Sequence, residues 1–341
     1  VPDPSVWCFH DSRGYGSPRP SFCGHIRVVL PFDQLKAHGW RAGYACSLPG
    51  PGQGDYDIFV GQRCDQPGFR PFWDALREIG RDEGLKLVYE IDDDPFSLDP
   101  VNWLAAPSFT NAEVLASIAY FASTADMVTV TTEGLANRMR RFNDNVHVLP
   151  NFIPSSMLAV PLRHPQGQLT IGWAGGCSHS RDVALIAQTW RDVTDEAGCR
   201  GHFVGTDFRT ITRFGGFDYT PWEPEPALYY RNIDFDIGLA PLADHEFNGG
   251  KSALKALEYA ALGIPVIASD HPVYRDFVAD GVTGFLCSSQ EQWKDRMLLL
   301  ASDEGLRTSM GAKARELAAQ HTIERNWTRW ADAYRTLAGG A

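Results

Sequence analysis

The stretch HEFNGGKSALKALEYAALGIPVIASD, residues 245–270, decides how the rest of the chain is read. Gly250, Lys251 and Ser252 look like the end of an ATP-binding P-loop. That loop needs a glycine at position 245, directly after a strand, and the residue there is His245. The next residues form a helix of unusual make-up. Ala253, Leu254, Ala256, Leu257, Ala260, Ala261 and Leu262 would bury most of its surface, while Lys251, Lys255 and Glu258 fall at helical spacings and share one stripe. Gly263 ends the helix, and IPVIAS, residues 264–269, reads as a short buried strand. Such a helix, opening at two glycines and running straight into a strand, is either a seat for an anionic ligand or a solvated Lys–Glu face.

On either side of this stretch, strands and helices alternate along the whole chain. SVWCFH, YDIFVGQR, LKLVYEIDDD, DMVTVTT and VHVLPN read as strands of a first half, with helices over HIRVVLPFDQLKAHGW, from about Pro71, NAEVLASIAYFASTA and EGLANRMRRF. Residues 152–168 then break the pattern with Pro154, Pro161 and Pro165 and read as a linker. The alternation resumes with LTIGWAGG, a helix from about Asp182, GHFVG, FDYTPW, FDIGLAPL, the opening stretch, GFLCS and helices to the end. This order predicts an α/β protein of two similar halves, each a parallel sheet covered on both faces, with ligands at the carboxyl ends of the strands.

Composition agrees. The 341 residues suit two domains, and 44% hydrophobic with 21% charged residues suffices for full cores. No apolar run approaches the ~20 residues that span a bilayer, and VPDPSVWCFHDSRG carries no basic-then-apolar leader, so the expectation is a cytoplasmic protein without a membrane span. The seven scattered cysteines, without a Cys-x-x-Cys, read as free thiols. A net charge of −11 argues against gripping nucleic acid along the whole surface; the local basic run NRMRRF, residues 137–142, reads as a solvated helix end.

Four constellations carry chemistry. In TIGWAGGCSHSRDVALI, Gly175 and Gly176 turn a strand into a helix where backbone and helix N-terminus can approach a phosphate; Arg181 would add charge, and Ser178 or His179 could donate. The alternative is a tight turn with Asp182 near the helix start. In the opening stretch, Glu258 is costly to bury unless it accepts hydrogen bonds, for which a ribose diol is a natural donor, and Lys251 or Lys255 could neutralise a diphosphate. Asp92, Asp93 and Asp94 follow a buried strand and could hold an acceptor hydroxyl, take its proton or cap the next turn; no histidine cluster accompanies them, so no metal is expected. In GYGSPRPSFCGHIRVVLP, Gly14, Gly16 and Gly24 flank a loop, and Arg27 either reaches the cleft or only pairs with an acidic surface residue.

These pieces, in this order, resemble the retaining GT-B glycosyltransferases of family 4. VHVLPNFIP, IGWAGGCSHSRD, HFVG, FDIGLAPL, NGGKSALKALEYAALGIPVIAS and GVTGFL are similar to its donor half, and CGHIRVVLPFDQL, DIFVGQR, YEIDDD and VTVTTEGLANRM to its other half. The resemblance implies two Rossmann-like domains with parallel sheets facing across a cleft: 1–155 on the acceptor side, 156–321 holding the donor, and a helix in 322–341 returning to the first domain. It implies a hexosyltransferase that moves sugar from a nucleoside diphosphate sugar, a UDP-sugar first, to a hydroxyl acceptor with retention and without metal or other cofactor. Glu258 would hold the ribose, Gly175 and Gly176 would approach the diphosphate, and Arg181 falls where members often have a phosphate-binding lysine. Lys251, Ser252, Gly249 and Gly250 would lie near sugar and phosphates; Ser178, Asn248 and Lys255 complete the donor set, and Arg27, Asp93 and Asp94 the acceptor side. Catalytic roles fall to Arg181, Lys251 and Asp92. There are two departures: where the family often has a second glutamate, this chain has Gly250, which leaves Asn248, Glu246 or backbone N–H groups to read the sugar, and where many members carry a histidine after a strand of the first half, the comparable strand here ends in Asp92 to Asp94, which makes acceptor binding differ from the family pattern. The competing readings are a viral-type transferase acting on hydroxymethylated DNA bases, with Arg13, Arg19, Arg27 and the NRMRRF helix as a basic rim, a sugar-nucleotide epimerase, and a non-catalytic sugar-nucleotide or glycan binder.

Overall fold

A computed structural model describes residues 2–10, 21–46, 56–98, 102, 111–161, 167–209 and 215–339. Arg13, Gly14, Gly16 and Arg19 lie outside the described residues. The chain divides into two compact units: Val1–Leu98, Ala106–Phe152 and Ile323–Ala341 form the first, Asp99–Ala105 and Ile153–Thr322 the second.

The first unit is a six-stranded sheet of β1 (Val6–His10), β2 (Ala42–Ala45), β3 (Ile58–Gln62), β4 (Lys86–Glu90), β5 (Met127–Val130) and β6 (Val146–Val148), ordered β2-β1-β3-β4-β5-β6. Every pairing is parallel. Alternate side chains serve opposite faces, as the two-residue period of a strand requires. Val6, Cys8, Ile58, Val60, Val88 and Met127 pack with Phe32 and Leu35, and with Trp330 and Tyr334 of the Thr328–Leu337 helix. Phe59, Leu87, Tyr89, Val128 and Val130 pack on the other face with Trp73 and Phe121. The first helical stretch is not one regular helix: His25–Val29 is a π-helical turn leading into the Leu30–Ala37 helix. β2 went unread in the sequence; AGYA is short, with only Gly43 buried, and lies at the sheet edge, so it lacks the apolar run that marked its neighbours.

The second unit repeats the plan with β7 (Thr170–Gly175), β8 (Arg200–Gly205), β9 (Asp218–Pro221), β10 (Ile237–Ala240), β11 (Val266–Ser269) and β12 (Gly284–Cys287), ordered β12-β11-β10-β7-β8-β9 and all parallel. Its core gathers Trp173, Trp190, Phe203, Ile237, Leu239, Ile267 and Trp293. The order reverses between β7 and β10. At such a switch point the loops leaving the two strands run to opposite sides and open a crevice at the carboxyl edge.

Candidate donor site

The crevice is made by side chains of the Leu254–Ala261 helix. β10 and β7 are in register only at Ile237↔Ile171 and Gly238↔Gly172. Past that point Tyr259 stands between them: Ala174 N donates to its hydroxyl oxygen at 2.8 Å, and the hydroxyl reaches Leu239 O at 3.4 Å. One turn earlier, Lys255 Nζ donates to Ala174 O and sits 4.4 Å over the Trp173 ring. A Cβ at Gly175 would lie 2.5 Å from Lys255 Nζ and 2.9 Å from Trp173, so glycine leaves the ammonium its place. Gly205, at φ +99°, passes so close that a Cβ there would meet Gly175 O at 2.4 Å.

A second set of bonds ties the two loops of the crevice together. Asp182 is no helix cap. Its carboxylate is buried, with Oδ2 2.6 Å from His179 Nδ1, while Oδ1 accepts from Ala243 N at 2.9 Å and Asn248 Nδ2 at 2.7 Å. Asn248 Nδ2 also donates to Ala243 O at 3.0 Å. The Asn248 amide N–H groups are spent inside the protein, and its Oδ1 is buried with no hydrogen-bond partner among the described residues. Lys251 Nζ donates to Ser178 Oγ at 3.2 Å and lies 4.5 Å over the Phe247 ring. Lys251 is not on the helix; its backbone is extended (φ −71°, ψ 161°) after the Glu246–Gly250 turn, so only Lys255 and Glu258 share the expected stripe.

The charges are unusual. Burial pulls the Lys255 ammonium down to about 8 against the opposing pull of Glu258. Burial pushes the Glu258 carboxyl up to about 8, and Lys255 relieves it only in part. Glu258 is 4% exposed and its Oε1 has no hydrogen-bond partner among the described residues. For Asp182, burial works against the charge, but the bonds from His179 and Ala243 and the nearby Lys251 hold the carboxyl below its usual range. His179 is pulled down to about 4, by burial first and then by Lys251.

The structure thus brings Gly175, Gly176, Ser178, Asn248, Lys251 and Lys255 to the crevice, with Gly249, Gly250 and Ser252 on the same stretch of chain. Arg181 is exposed in the first turn of the Ser180–Ala197 helix, and Glu258 lies one turn along from Lys255. Sequence reasoning missed the organising part of Asp182 and the bridge of Tyr259. The His179/Asp182 and Lys255/Tyr259 spacings were the available signals, but an aspartate in a first helical turn ordinarily just faces the helix dipole.

In the first unit the expected acceptor residues separate. Arg27 is a correction: it does not reach a site. Its guanidinium is buried, donating to Glu90 at 2.7 and 3.0 Å, to Leu149 O and to Asn151 at 3.1 Å. Asp94 is structural as well: its Oδ1 caps Phe96 N at 3.1 Å and its Oδ2 pairs with Arg138 at 2.6 Å. Asp92 and Asp93 instead face Arg63, at 3.1 and 3.3 Å, a residue missed in the sequence that comes just after β3 in the left-handed region (φ +49°). The Asp92 contact lacks the straight geometry of a hydrogen bond and is an ion pair. The Cys23 thiol lies beside it, raised by burial and then by Asp92. Among the described residues no group of three or more His, Cys, Asp or Glu could hold a metal ion, and no helix is long and apolar enough to cross a membrane.

Comparison with known proteins fits this geometry. Residues 249–317 match the family of glycosyl transferases, group 1. The matched stretch includes Lys251, Lys255 and Glu258 and ends within the Glu304–Ala318 helix, short of the second unit's last residue, Thr322. No curated protein matches the chain. Among solved structures, sucrose-phosphate synthase from Thermosynechococcus elongatus is similar with a TM-score of 0.67 at 14% identity, over 99% of this chain and 100% of that one. HepE of Anabaena, in complex with UDP-glucose, gives 0.62 at 12% identity over 98% and 99%. TarM of S. aureus gives 0.60 at 17% identity over 81% of this chain, which spans about half, 54%, of that one. At these identities the likeness is one of fold: two six-stranded parallel sheets in the α/β architecture of GT-B glycosyltransferases.

Proposed function

We propose that this protein is a glycosyltransferase that moves a hexosyl group from a nucleoside diphosphate sugar, a UDP-sugar first, to a hydroxyl acceptor with retention. The observation that carries the reading is the crevice at the β7/β10 reversal, where two lysines lie on a glycine-lined backbone and Glu258, one turn along the helix from Lys255, keeps a buried carboxyl oxygen without a hydrogen-bond partner among the described residues. Lys251, Lys255 and Arg181 suit a diphosphate, and Glu258 Oε1 suits the donated hydroxyls of a ribose. The group 1 match over this stretch and structural neighbours solved with UDP or UDP-glucose support the same assignment.

In the reaction, negative charge grows on the leaving diphosphate. The two ammonium groups and the N–H groups after β7 are held in place to meet it, with Arg181 exposed at the start of the adjoining helix, and such preorganised charge lowers a barrier without a metal. Retention results if the acceptor attacks on the face the diphosphate leaves, with a diphosphate oxygen taking its proton. On the first unit, Asp92 and Asp93 are the carboxylates we assign to the acceptor. The DNA-acceptor alternative has lost its basic rim in part, because Arg138 and Arg140 pair with Asp94 and Glu133.

The test is UDP release from a panel of UDP-sugars, with thermal unfolding alongside. A ligand at about 100 times its Kd adds about 2.7 kcal/mol to stability, which a melting curve resolves. Arg181→Ala and Glu258→Ala each cut UDP release at least tenfold. Stabilisation by UDP without turnover under any acceptor would leave a binding protein; neither stabilisation nor turnover would end the reading.

A further inference from the structure

The chain lacks a carboxylate at Gly250, yet a sugar presents several hydroxyl donors that need acceptors. The Asp182 network supplies one. Asp182 Oδ1 already takes two N–H donors, from Ala243 and Asn248, and the ionised carboxylate has none to give. The proton in the 2.6 Å contact between Asp182 Oδ2 and His179 Nδ1 therefore sits on the nitrogen. A neutral imidazole carrying its hydrogen on Nδ1 has a bare Nε2, an acceptor and not a donor. His179 Nε2 has no hydrogen-bond partner among the described residues, and the ring is 13% exposed. The ring is next in sequence to Ser178, whose hydroxyl meets Lys251, and the two site lysines are close enough to act on its charge. It is steadied by an edge contact with Trp173, 5.7 Å between centroids.

We propose that His179 Nε2 accepts a hydrogen bond from a hydroxyl of the sugar carried by the donor, and that Asp182 is the positioning residue that sets the ring's tautomer and holds both loops. This rests on the donor-site reading above and deepens it: the sugar is read by an imidazole acceptor where a second glutamate is absent. Burial beside two ammonium groups keeps the ring neutral, so it adds no charge to the phosphates and discriminates by hydroxyl geometry.

The experiment measures Kd for UDP, UDP-glucose and UDP-glucose analogues deoxygenated at single positions, in the wild type and in His179→Ala. The wild type is expected to lose about tenfold or more with one particular deoxy analogue. His179→Ala should lose the same factor with UDP-glucose, keep its UDP affinity within about twofold, and no longer distinguish that analogue. A parallel fall in UDP affinity, or unchanged discrimination in the variant, overturns the proposal. If the wild type binds neither UDP nor UDP-glucose, the donor-site reading itself has failed, and this is a separate outcome. Nitrogen NMR of the imidazole reads the tautomer directly, independently of any variant's folding. A protonated Nδ1 and a bare Nε2 are expected; the reverse overturns the assignment.

Discussion

Glu258→Gln is the sharpest single change available, because one buried atom has two independent consequences. The wild-type carboxyl, raised from 4.5 to about 8 by burial, is 4% exposed. Folding therefore retains a proton there over a range in which the unfolded chain gives it up. The contribution of the group to stability is in place below about pH 4.5 and is lost as pH rises through about 8. Between about pH 5 and about pH 8 the wild type should lose about 3 kcal/mol from this group alone. Glutamine has no proton to retain, so the variant should gain on the wild type by about that amount across the interval. Above about pH 8 the sign turns for Lys255: its lowered ammonium means that the wild type recovers stability toward the ordinary lysine range. The assay is urea unfolding at several pH values, with calorimetric titration of UDP on the same samples. The variant should bind UDP at least tenfold more weakly. A stability difference that stays flat with pH would refute the buried, proton-holding carboxyl; unchanged UDP affinity would refute its place at the ribose.

Three other outcomes are expected. Lys251→Ala, half-buried against Phe247, should weaken UDP by about tenfold or more while unfolding near the wild-type midpoint; normal affinity by calorimetry would remove Lys251 from the phosphates. Arg27→Met leaves Glu90 buried beside Thr129 without its cation and should cost about 3–5 kcal/mol in urea unfolding, and a cost below about 1 kcal/mol would contradict a structural ion pair. Gly311→Ala puts a Cβ 2.0 Å from Gly263 O, a backbone atom that cannot swing aside, and should lower stability by about 1–3 kcal/mol; a neutral result would show that the helix can shift.

The alternation of apolar strands and amphipathic helices was legible because a strand buried on both faces, such as TIGWAG of β7, leaves an unbroken apolar run. β2 left no such run. The helix Pro226–Asn232 was also invisible: PALYYRN is short and comes after a proline-rich turn, while its burial comes from Tyr229 and Tyr230 alone. At the site, the glycines and lysines could be read because their chemistry is local to the chain. Asp182 could not, because its meaning depends on Ala243 and Asn248, which lie 61 and 66 residues away. Arg27 was misread for the same reason: nothing near it in sequence announces Glu90, 63 residues on, or Leu149 O, 122 residues on.

The assignment of chain segments to the two units has a consequence for biosynthesis. The second unit is nearly contiguous, whereas the first takes Trp330 and Tyr334 from residues that come after the whole of the second. On a ribosome, the first sheet emerges early but waits with Val6, Phe32 and Val60 uncovered until those two rings have been made. Domains usually complete in the order in which they are synthesised; here the later one can close first. A nascent chain released after Thr322 would carry a finished second unit and an open apolar flank on the first, the kind of surface that chaperones hold and aggregates grow from.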